Sequence, residues 1–382
     1  MSNVPFSRTN IIGSEIARIA SVLEQGVLSG PGAQSAACEK LILATTGGHW
    51  AAVVPSCTAA LEMSAILLNL APGDEVILPS FTFVSTATAI VLRGACPVFV
   101  DVDPITQNIC PRAVEAAVTP RTRAIFVVHY AGVVADMTAL CGLACQHGLA
   151  IVEDAAQAYG ASRSGKMAGS FGATSAFSFH GTKNISAGEA GALVVNDPAL
   201  SDRAAILREK GTDRGRFLRG AVDAYTWQDL GSSQIISELT AAFLCSQLER
   251  VGQIHAARLA LWNRYHSALR GAEQAGHFIL PHPPLDADHN AHIFFLMLPD
   301  EQARHDLRGW LSRAGIAAVS HYVPLHSSPA GLRFGRSVGD MRATNRAAQC
   351  LLRLPLWNGL EAHQDRVISA VQDWCATRQA AT

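Results

Sequence analysis

From about residue 50, short apolar runs alternate with longer amphipathic stretches, and this alternation restricts the chain to few folds. Several runs are apolar at consecutive positions, which is typical of strands in a sheet covered on both faces. The alternation predicts βαβ units, and so an α/β protein with a mostly parallel sheet. The predicted strands are 51–56, 75–80, 98–101, 124–130 and 150–154, and the helices between them include 58–70, 85–93 and 137–147.

Two further predicted strands, 173–179 and 191–196, follow in the same domain, and a long helix at 237–270 is expected to lead out of it. We therefore predict a large domain over 1–255, with an N-terminal arm, and a smaller C-terminal α/β domain over 256–382. The elements expected in the smaller domain are strands at 292–298 and 316–322 and helices near 301–314 and 361–377.

The composition restricts the partners of the chain. Of the 382 residues, 49% are hydrophobic and 16% are charged, which suggests a surface partly covered by a second subunit. A net charge of −1 argues against nucleic acid or a membrane surface as a partner. The first ten residues lack the apolar segment of a signal peptide, and no apolar run reaches 18 residues. Nine cysteines without regular spacing predict reduced thiols in a cytoplasmic protein and no metal site.

Polar residues follow four of the predicted strands, at the sheet edge where ligands of parallel sheets bind. They are Ser56-Cys57-Thr58, Phe81-Thr82-Phe83, His129-Tyr130, and Asp154 with Gln157. Lys183 follows Asp154 by about 30 residues, on the loop between the strands at 173–179 and 191–196. The convergence of these groups predicts a ligand site at this edge.

A lysine and a strand-end carboxylate in this arrangement predict a site for pyridoxal phosphate. The Lys183 amine bonds to the cofactor and then moves the proton of the substrate, whereas Asp154 keeps the pyridine nitrogen protonated. Glu153 is the competing carboxylate, but alternation along a strand turns the two to opposite faces. We choose Asp154, although its alternative role is to cap the following helix.

Other residues fit the remaining parts of the cofactor. The backbone N–H groups of Cys57 and Thr58 open a helix and suit its phosphate, with Ser178 as a second donor. The alternative for Thr58 is that it only caps the helix. Gln157 is placed to donate to the phenolic oxygen of the cofactor. Phe83, preferred over Phe81, covers one face of the ring.

With these residues assembled, the chain resembles the sugar-nucleotide aminotransferases of the DegT/DnrJ/EryC1/StrS family over nearly its whole length. The resemblance implies the type I (aspartate aminotransferase-like) fold of pyridoxal-phosphate enzymes, and a homodimer with shared active sites. It rests on Pro79-Ser80-Phe81-Thr82-Phe83, Glu153-Asp154-Ala155-Ala156-Gln157, Phe177-Ser178-Phe179-His180, Thr182-Lys183-Asn184, Gly188-Glu189-Ala190-Gly191-Ala192 and Tyr322-Val323-Pro324-Leu325-His326.

Within the family, the chain looks most like the transaminases that make dTDP-4-amino-4,6-dideoxygalactose. That resemblance implies transfer of the amino group of L-glutamate to C4 of dTDP-4-oxo-6-deoxy-D-glucose. Three alternatives stay open. The product is the gluco epimer, the substrate is another keto-sugar nucleotide (a C3 ketone or a pentose), or the enzyme belongs to a secondary-metabolite pathway. The finer resemblance rests on Glu209-Lys210-Gly211-Thr212, Tyr225-Thr226-Trp227, Gly231-Ser232-Ser233 and His129-Tyr130-Ala131-Gly132.

One segment departs from the family pattern. Ser233 stands where most members carry an Asn that reaches the cofactor phosphate of the partner subunit, so that contact is in question. Arg214 and Arg219 lie, with Arg216, in a basic loop suited to the sugar-nucleotide diphosphate, and a solvated charge run is the alternative. His180, Tyr322 and His326 are further candidates for the substrate pocket.

Three competing functions are weaker. A nicotinamide oxidoreductase is disfavoured because no Gly-x-Gly-x-x-Gly follows the first predicted strand. The dehydrase branch of the family has His in place of the lysine, and Lys183 argues against it. A cofactor-binding regulator without catalysis is disfavoured by the intact set of Lys183, Asp154 and Gln157.

Overall fold

The structure is a computed structural model that describes residues 3–379. Across these residues, no helix combines the length and the apolar character that a membrane crossing requires. The strands are β1 (Trp50–Val54), β2 (Glu75–Pro79), β3 (Cys96–Val100), β4 (Thr122–Val128), β5 (Ala150–Asp154), β6 (Ser162–Arg163), β7 (Lys166–Met167), β8 (Thr174–Ser178), β9 (Gly191–Val195), β10 (Ala287–Asp288), β11 (Phe294–Met297), β12 (Arg336–Ser337) and β13 (Leu351–Leu354).

Helices of very different lengths surround these strands. They are α1 (Ser14–Gln25), α2 (Ala33–Thr46), α3 (Cys57–Leu67), α4 (Val84–Val91), α5 (Pro111–Ala117), α6 (Met137–His147), α7 (Ser201–Arg208), α8 (Arg214–Leu218), α9 (Glu238–Leu248), α10 (Val251–Gln274), α11 (Glu301–Arg313), α12 (Pro329–Phe334), α13 (Arg342–Cys350) and α14 (Glu361–Gln379).

The main sheet has eight strands in the order β1-β9-β8-β5-β4-β2-β3-β12. β9 runs antiparallel to both of its neighbours, and the other pairs in this sheet are parallel. The prediction of a mostly parallel sheet is therefore confirmed. Val128 pairs with Asp154, and Asp154 pairs with Ala176, so the carboxyl ends of the parallel strands β4, β5 and β8 meet at one edge.

The central strands are buried on both faces, as their consecutive apolar residues predicted. In β4, Ile125 and Val127 pack in one hydrophobic cluster, with α2, α6 and α9. Ala124 and Phe126, which alternate with them, pack in a second cluster with α3, α4 and α7. Helices therefore cover both faces of the sheet, and its edge at the carboxyl ends is where polar groups can gather.

A separate hydrophobic core forms in the C-terminal third of the chain, around the antiparallel pair β11–β13. It includes Tyr265, Phe294 and Leu311, and it also takes in Val4 from the N-terminal segment. The predicted N-terminal arm thus packs on the C-terminal core. The predicted boundary at residues 255 and 256 falls inside α10, and the division into two domains stays a prediction.

Three predictions of local structure differ from the structure. The helix expected at 237–270 is two helices, because Arg250, with φ −114°, leaves the helical path between α9 and α10. The strand expected at 316–322 is absent, since this segment pairs only through isolated bridges at Ile316 and Val319. Helices α1 and α2, which lie before the first predicted strand, were not predicted.

Candidate active site

A cavity of about 630 Å³ opens beyond the carboxyl ends of β4 and β5, beside the first turn of α3. Most of the predicted cofactor residues line it. Its wall includes Phe6, Ser7, Cys57, Thr58, Phe83, Ser85, Asp154, Gln157, Ser178, His180, Lys183, His292, His321, Tyr322 and Arg353.

Lys183 is carried into the cavity by a closed loop between β8 and β9. The amide of Phe179 donates to Ala190 O (2.8 Å), that of Gly181 to Gly188 O (2.8 Å), and that of Lys183 to His180 O (2.9 Å). Burial lowers the pKa of the Lys183 amine, and nearby anionic groups only partly offset it. A lower pKa favours the unprotonated amine, which is the form that attacks an aldehyde.

The neighbouring carboxylates Glu153 and Asp154 point to opposite sides of the sheet, as predicted. Asp154 faces the cavity, and its Oδ2 accepts a hydrogen bond from the Thr86 hydroxyl (2.7 Å). Glu153 is fully buried and accepts hydrogen bonds from His129 and from the backbone of the loop at residues 169–172. Both carboxylate oxygens of Glu153 therefore accept hydrogen bonds from protein groups, and Asp154 is the carboxylate available to a ligand.

The first turn of α3 borders the same cavity. Ser56 is the N-cap residue, because its hydroxyl accepts a hydrogen bond from Ala59 N (3.1 Å). The alternative that Thr58 caps this helix is therefore wrong, and the N–H groups of Cys57 and Thr58 remain at the open end of the helix. Gly191 packs so closely here that a Cβ atom would overlap the backbone of Cys57. This end of the helix suits an anion such as a phosphate.

Gln157 is held in one orientation by its neighbours. Its Oε1 accepts a hydrogen bond from Ala131 N (2.7 Å), so Nε2 is the end that donates to Tyr322 Oη (2.9 Å). One amide hydrogen remains for a ligand in the cavity. Phe83 is 58% exposed and lines the cavity, whereas Phe81 is fully buried against Tyr130 and Tyr322.

Two of the five predicted substrate residues, His180 and Tyr322, line the cavity. His326 does not, because its Nδ1 is hydrogen-bonded to Ser80 Oγ at 2.7 Å. Arg214 and Arg219 lie away from it on the segment around α8, where Arg214 is 3.5 Å from Glu209. Ser233, predicted to contact the partner subunit, also lies outside the cavity of its own chain.

The residues of the cavity wall that the sequence analysis missed include three that carry ionisable groups, His292, His321 and Arg353. Burial, followed by Arg353 and Lys183, lowers the pKa of His321 to about 2. Burial and the same two cations, among others, hold the pKa of His292 well below its usual value. Both imidazoles are therefore neutral. A charged residue inside the apolar run Leu351-Leu352-Arg353-Leu354 was the one available signal for Arg353.

A family model described as the DegT/DnrJ/EryC1/StrS aminotransferase family matches residues 9–372. The chain belongs to this family. The resemblance stated on the motifs around Asp154 and Lys183 is thereby confirmed, and so is the type I fold of pyridoxal-phosphate enzymes.

Individual family members are similar along their whole length. The spore coat polysaccharide biosynthesis protein SpsC of Bacillus subtilis (strain 168) is 35% identical over 380 residues, which cover 97% of this chain and 96% of SpsC. DesV of S. venezuelae, solved in complex with a ketimine intermediate, is 35% identical with a TM-score of 0.87, over 98% of this chain and 99% of DesV. The aminotransferase TlmJ of Streptoalloteichus hindustanus is 29% identical with a TM-score of 0.91, over 98% of this chain and all of TlmJ.

The cofactor of this aminotransferase is pyridoxal 5′-phosphate. The residues present fit it: the cavity brings together the amine of the half-buried Lys183, a carboxylate and the open N-terminus of a helix. Two other lysines of the chain, Lys166 and Lys210, do not line the cavity. The assignments of Lys183, Asp154, Gln157 and the remaining site residues to individual contacts stay predictions.

Proposed function

We propose that this aminotransferase transfers the amino group of L-glutamate to C4 of dTDP-4-oxo-6-deoxy-D-glucose, giving dTDP-4-amino-4,6-dideoxy-D-galactose. The observation that carries the transamination is the convergence of Lys183 and Asp154 in one cavity, beside the start of α3. A sugar substrate is supported by the similarity to SpsC, which is named for polysaccharide biosynthesis. The choice of dTDP-4-oxo-6-deoxyglucose rests on the resemblance of the four segments named in the sequence analysis.

Each residue has a role that its position supports. Bound pyridoxal phosphate supplies an electron sink for the charge released at the amine-bearing carbon. Asp154 holds a negative charge against the pyridine nitrogen. Lys183 would move a proton from that carbon to the cofactor in the first half-reaction, and from the cofactor to C4 of the keto sugar in the second. Gln157, fixed by Ala131 and Tyr322, donates its remaining amide hydrogen to the phenolic oxygen.

Three of the four segments behind the sugar assignment pack against one another. Lys210 N donates to Ser232 O (3.0 Å), and Thr212 pairs with Trp227. Gly231 contacts Lys210 and Gly211 so closely that a side chain would not fit. The segments therefore form one folded unit after α7, which supports treating them as one functional element.

This unit also presents groups that suit a nucleotide. Trp227 is 81% exposed, and Phe217 packs beside Tyr225 with ring centroids 5.7 Å apart. Arg219 is exposed on the same segment. Aromatic faces bind bases by stacking, and guanidinium groups bind phosphates. Since the unit lies outside the cavity of its own chain, we propose that it serves the cavity of a partner subunit in a homodimer.

The proposal is tested by following the visible absorbance of the reconstituted enzyme. L-Glutamate is expected to bleach the band of the lysine-bound cofactor, and dTDP-4-oxo-6-deoxy-D-glucose is expected to restore it. L-Aspartate serves as the matched donor control. The coupling constant between H3 and H4 in the NMR spectrum of the product then gives the configuration at C4. This coupling is small when the amine is axial, as in the galacto product.

Several outcomes would refute the proposal. If L-glutamate leaves the band unchanged, the donor is wrong. If the band is bleached but only a 3-oxo sugar nucleotide or a pentose derivative restores it, the acceptor is wrong. A large H3–H4 coupling would replace the galacto product by its gluco epimer.

A further inference from the structure

Thr86 carries a buried hydroxyl that contacts the carboxylate of the active-site cavity. It lies in the first turn of α4, and its side chain is fully buried. Its Oγ1 is 2.7 Å from Asp154 Oδ2. Two other groups lie within hydrogen-bond distance of the same oxygen, Thr82 Oγ1 at 3.0 Å and Phe83 O at 3.2 Å. The hydroxyl thus has three neighbours but only one proton to donate.

The directions of these hydrogen bonds follow from the chemistry of the three neighbours. Phe83 O already accepts the backbone N–H of Thr86 (3.3 Å), so it has a donor without the hydroxyl. Asp154 offers a charged acceptor at the shortest distance, and charge-assisted hydrogen bonds are the stronger ones. The Thr86 proton therefore goes to Asp154, and the Thr86 oxygen accepts the proton of Thr82. Two hydroxyls in series end on the carboxylate, and each bond strengthens the other.

A threonine inside a helix often uses its hydroxyl in a different way, by bonding back to a carbonyl of the preceding turn. Thr46 on α2 is of this kind, since its buried hydroxyl donates to Ile42 O at 2.9 Å. Thr86 differs because its shortest contact is with a carboxylate at the end of β5, on another element of the fold. Its hydroxyl therefore links α4 to Asp154.

The other partners of Asp154 are weaker. Its Oδ1 accepts hydrogen bonds from Ala156 N at 3.2 Å and from the thiol of Cys57 at 3.9 Å, and a thiol is a poor donor. In residues 3–379, the Thr86 bond is thus the shortest hydrogen bond to this carboxylate. Asp154 is only 5% exposed, and a buried carboxylate needs such donors to keep its charge.

The first turn of α4 is itself fixed against the rest of the site. The hydroxyls of Ser85 and Thr58 are 2.7 Å apart, which joins α4 to the start of α3. Phe83, the N-cap residue of α4, lines the cavity, whereas Thr86 does not. Thr86 therefore has no direct access to a ligand in the cavity and can act on one only through Asp154.

We propose that Thr86, supported by Thr82, is a positioning residue that holds Asp154 in the orientation and with the negative charge that the ring nitrogen of pyridoxal phosphate requires. This inference rests on the proposed function, because it requires Asp154 to face that nitrogen. The hydroxyl fixes Oδ2 and stabilises the charge of the carboxylate. Removing it should therefore weaken the contact with the ring nitrogen and leave the other cofactor contacts intact.

The test compares two ligands of the full chain after its cofactor has been removed. One is pyridoxal phosphate, and the other is an analogue in which a C–H group replaces the ring nitrogen. Tryptophan fluorescence gives both dissociation constants. Thr86→Val removes the hydroxyl and keeps the shape of the side chain. It is expected to weaken pyridoxal phosphate roughly 10-fold, the low end for a hydrogen bond to a charged group, and to leave binding of the analogue unchanged.

Three further variants test whether the effect belongs to the hydroxyl. Thr46→Val, the matched control, removes a buried hydroxyl far along the chain from the site and should change neither constant. Thr86→Ser keeps the hydroxyl and should retain the wild-type preference for pyridoxal phosphate over the analogue. If Thr86→Val does not fold, Thr86→Cys decides, because it has a similar volume and only a weak donor. It should lose much of the preference, and an unaltered preference refutes the inference.

Two results for Thr86→Val would overturn the inference. Unaltered binding of pyridoxal phosphate would show that Asp154 does not depend on the hydroxyl. Equal weakening of both ligands would show that Thr86 only supports the fold around the cavity, since the analogue has no nitrogen for Asp154 to face.

The inference and the proposed function fail in different ways. A wild-type enzyme whose visible band does not respond to L-glutamate refutes the proposed function. A wild-type enzyme that binds both ligands equally refutes the role of Asp154, and the inference with it. Loss of the preference in Asp154→Ala but not in Thr86→Val refutes only the role of Thr86.

Discussion

Glu153 is expected to be a stability residue, although it precedes the cofactor carboxylate Asp154 directly in sequence. Its Oε2 accepts hydrogen bonds from His129 Nε2 (2.9 Å) and Gly169 N (2.7 Å). Its Oε1 accepts from Phe171 N (2.7 Å) and Gly172 N (2.8 Å). Since Ala135 N donates to His129 Nδ1, the imidazole proton lies on Nε2 and points at Glu153. Four donors therefore depend on one buried carboxylate.

The substitution Glu153→Ala leaves these four donors without their acceptor. At about 1 kcal/mol for each orphaned group, the low end of the usual range, the loss of unfolding free energy is about 4 kcal/mol. An unfolding entropy of about 2.1 cal/mol/K per residue gives about 0.8 kcal/mol/K for the chain, so Tm should fall by roughly 5 °C. Glu153→Gln should lose about half as much, because its amide nitrogen would face two of the donors.

Differential scanning calorimetry with saturating pyridoxal phosphate measures these shifts. Glu115→Ala is the matched control, since Glu115 is exposed on α5 and its loss should change stability by less than about 0.5 kcal/mol. A Tm within 1 °C of the wild type for Glu153→Ala would refute the reasoning. So would a Glu153→Gln variant as unstable as Glu153→Ala, because the division between Oε1 and Oε2 would then be wrong.

The remaining predictions concern the cofactor and pH. Asp154→Ala should bind pyridoxal phosphate poorly and lose nearly all turnover, and a normal kcat would contradict its assignment. Lys183→Ala should abolish the visible band, whereas Lys210→Ala should keep it, as absorbance spectra will show. Hydrogen bonds from Arg336 lead the interactions that hold the pKa of Glu75 below its ordinary 4.5. The ionised Glu75 carboxylate therefore stabilises the folded state above pH 4.5, and this contribution is lost as the pH falls. The unfolding free energy of the wild type should consequently decline more steeply than that of Glu75→Gln between about pH 5 and 3.

Elements with local end signals were predicted accurately. Helix α6 was predicted with the bounds that the structure has, and its ends explain why. Asp136 caps the first turn by accepting a hydrogen bond from Ala139 N (3.1 Å), and Gly148 ends the helix with φ +65°. Strand β5 was also predicted with its observed bounds, because its apolar residues stop at the two carboxylates Glu153 and Asp154.

Elements that depend on tertiary contacts were not predicted. The break between α9 and α10 falls at Glu249 and Arg250, where the sequence has neither glycine nor proline to mark it. Helix α9 is buried on several sides, since Ala241, Leu244 and Gln247 are all fully buried. Helix α10 turns away to the C-terminal core. The break thus follows from where each helix packs, which the apolar pattern alone does not contain.

The same distinction applies to the active site. The predicted residues that line the cavity come mostly from strand ends of the main sheet, where the alternating pattern shows which groups converge. Arg353 and His292 come from the C-terminal part of the chain, in or beside the antiparallel pair β11–β13, and approach the cavity from the other side. No periodicity within the main sheet can indicate them, and only a charged residue in an apolar strand marks Arg353.

Asn184 shows how these two sides are joined at the reacting lysine. Its Nδ2 donates to Asn290 O (2.8 Å), so its Oδ1 is an acceptor and takes the Nδ1 proton of His292 (3.0 Å). The same segment is held from α10, where Arg258 donates to Ala291 O (3.0 Å) and His292 O (2.9 Å). The residue next to Lys183 is therefore bonded to the C-terminal part of the chain that also carries Arg353. The position of Lys183 relative to the C-terminal side of the cavity wall is consequently set by contacts between the two parts of the chain, and not by the Lys183 loop alone.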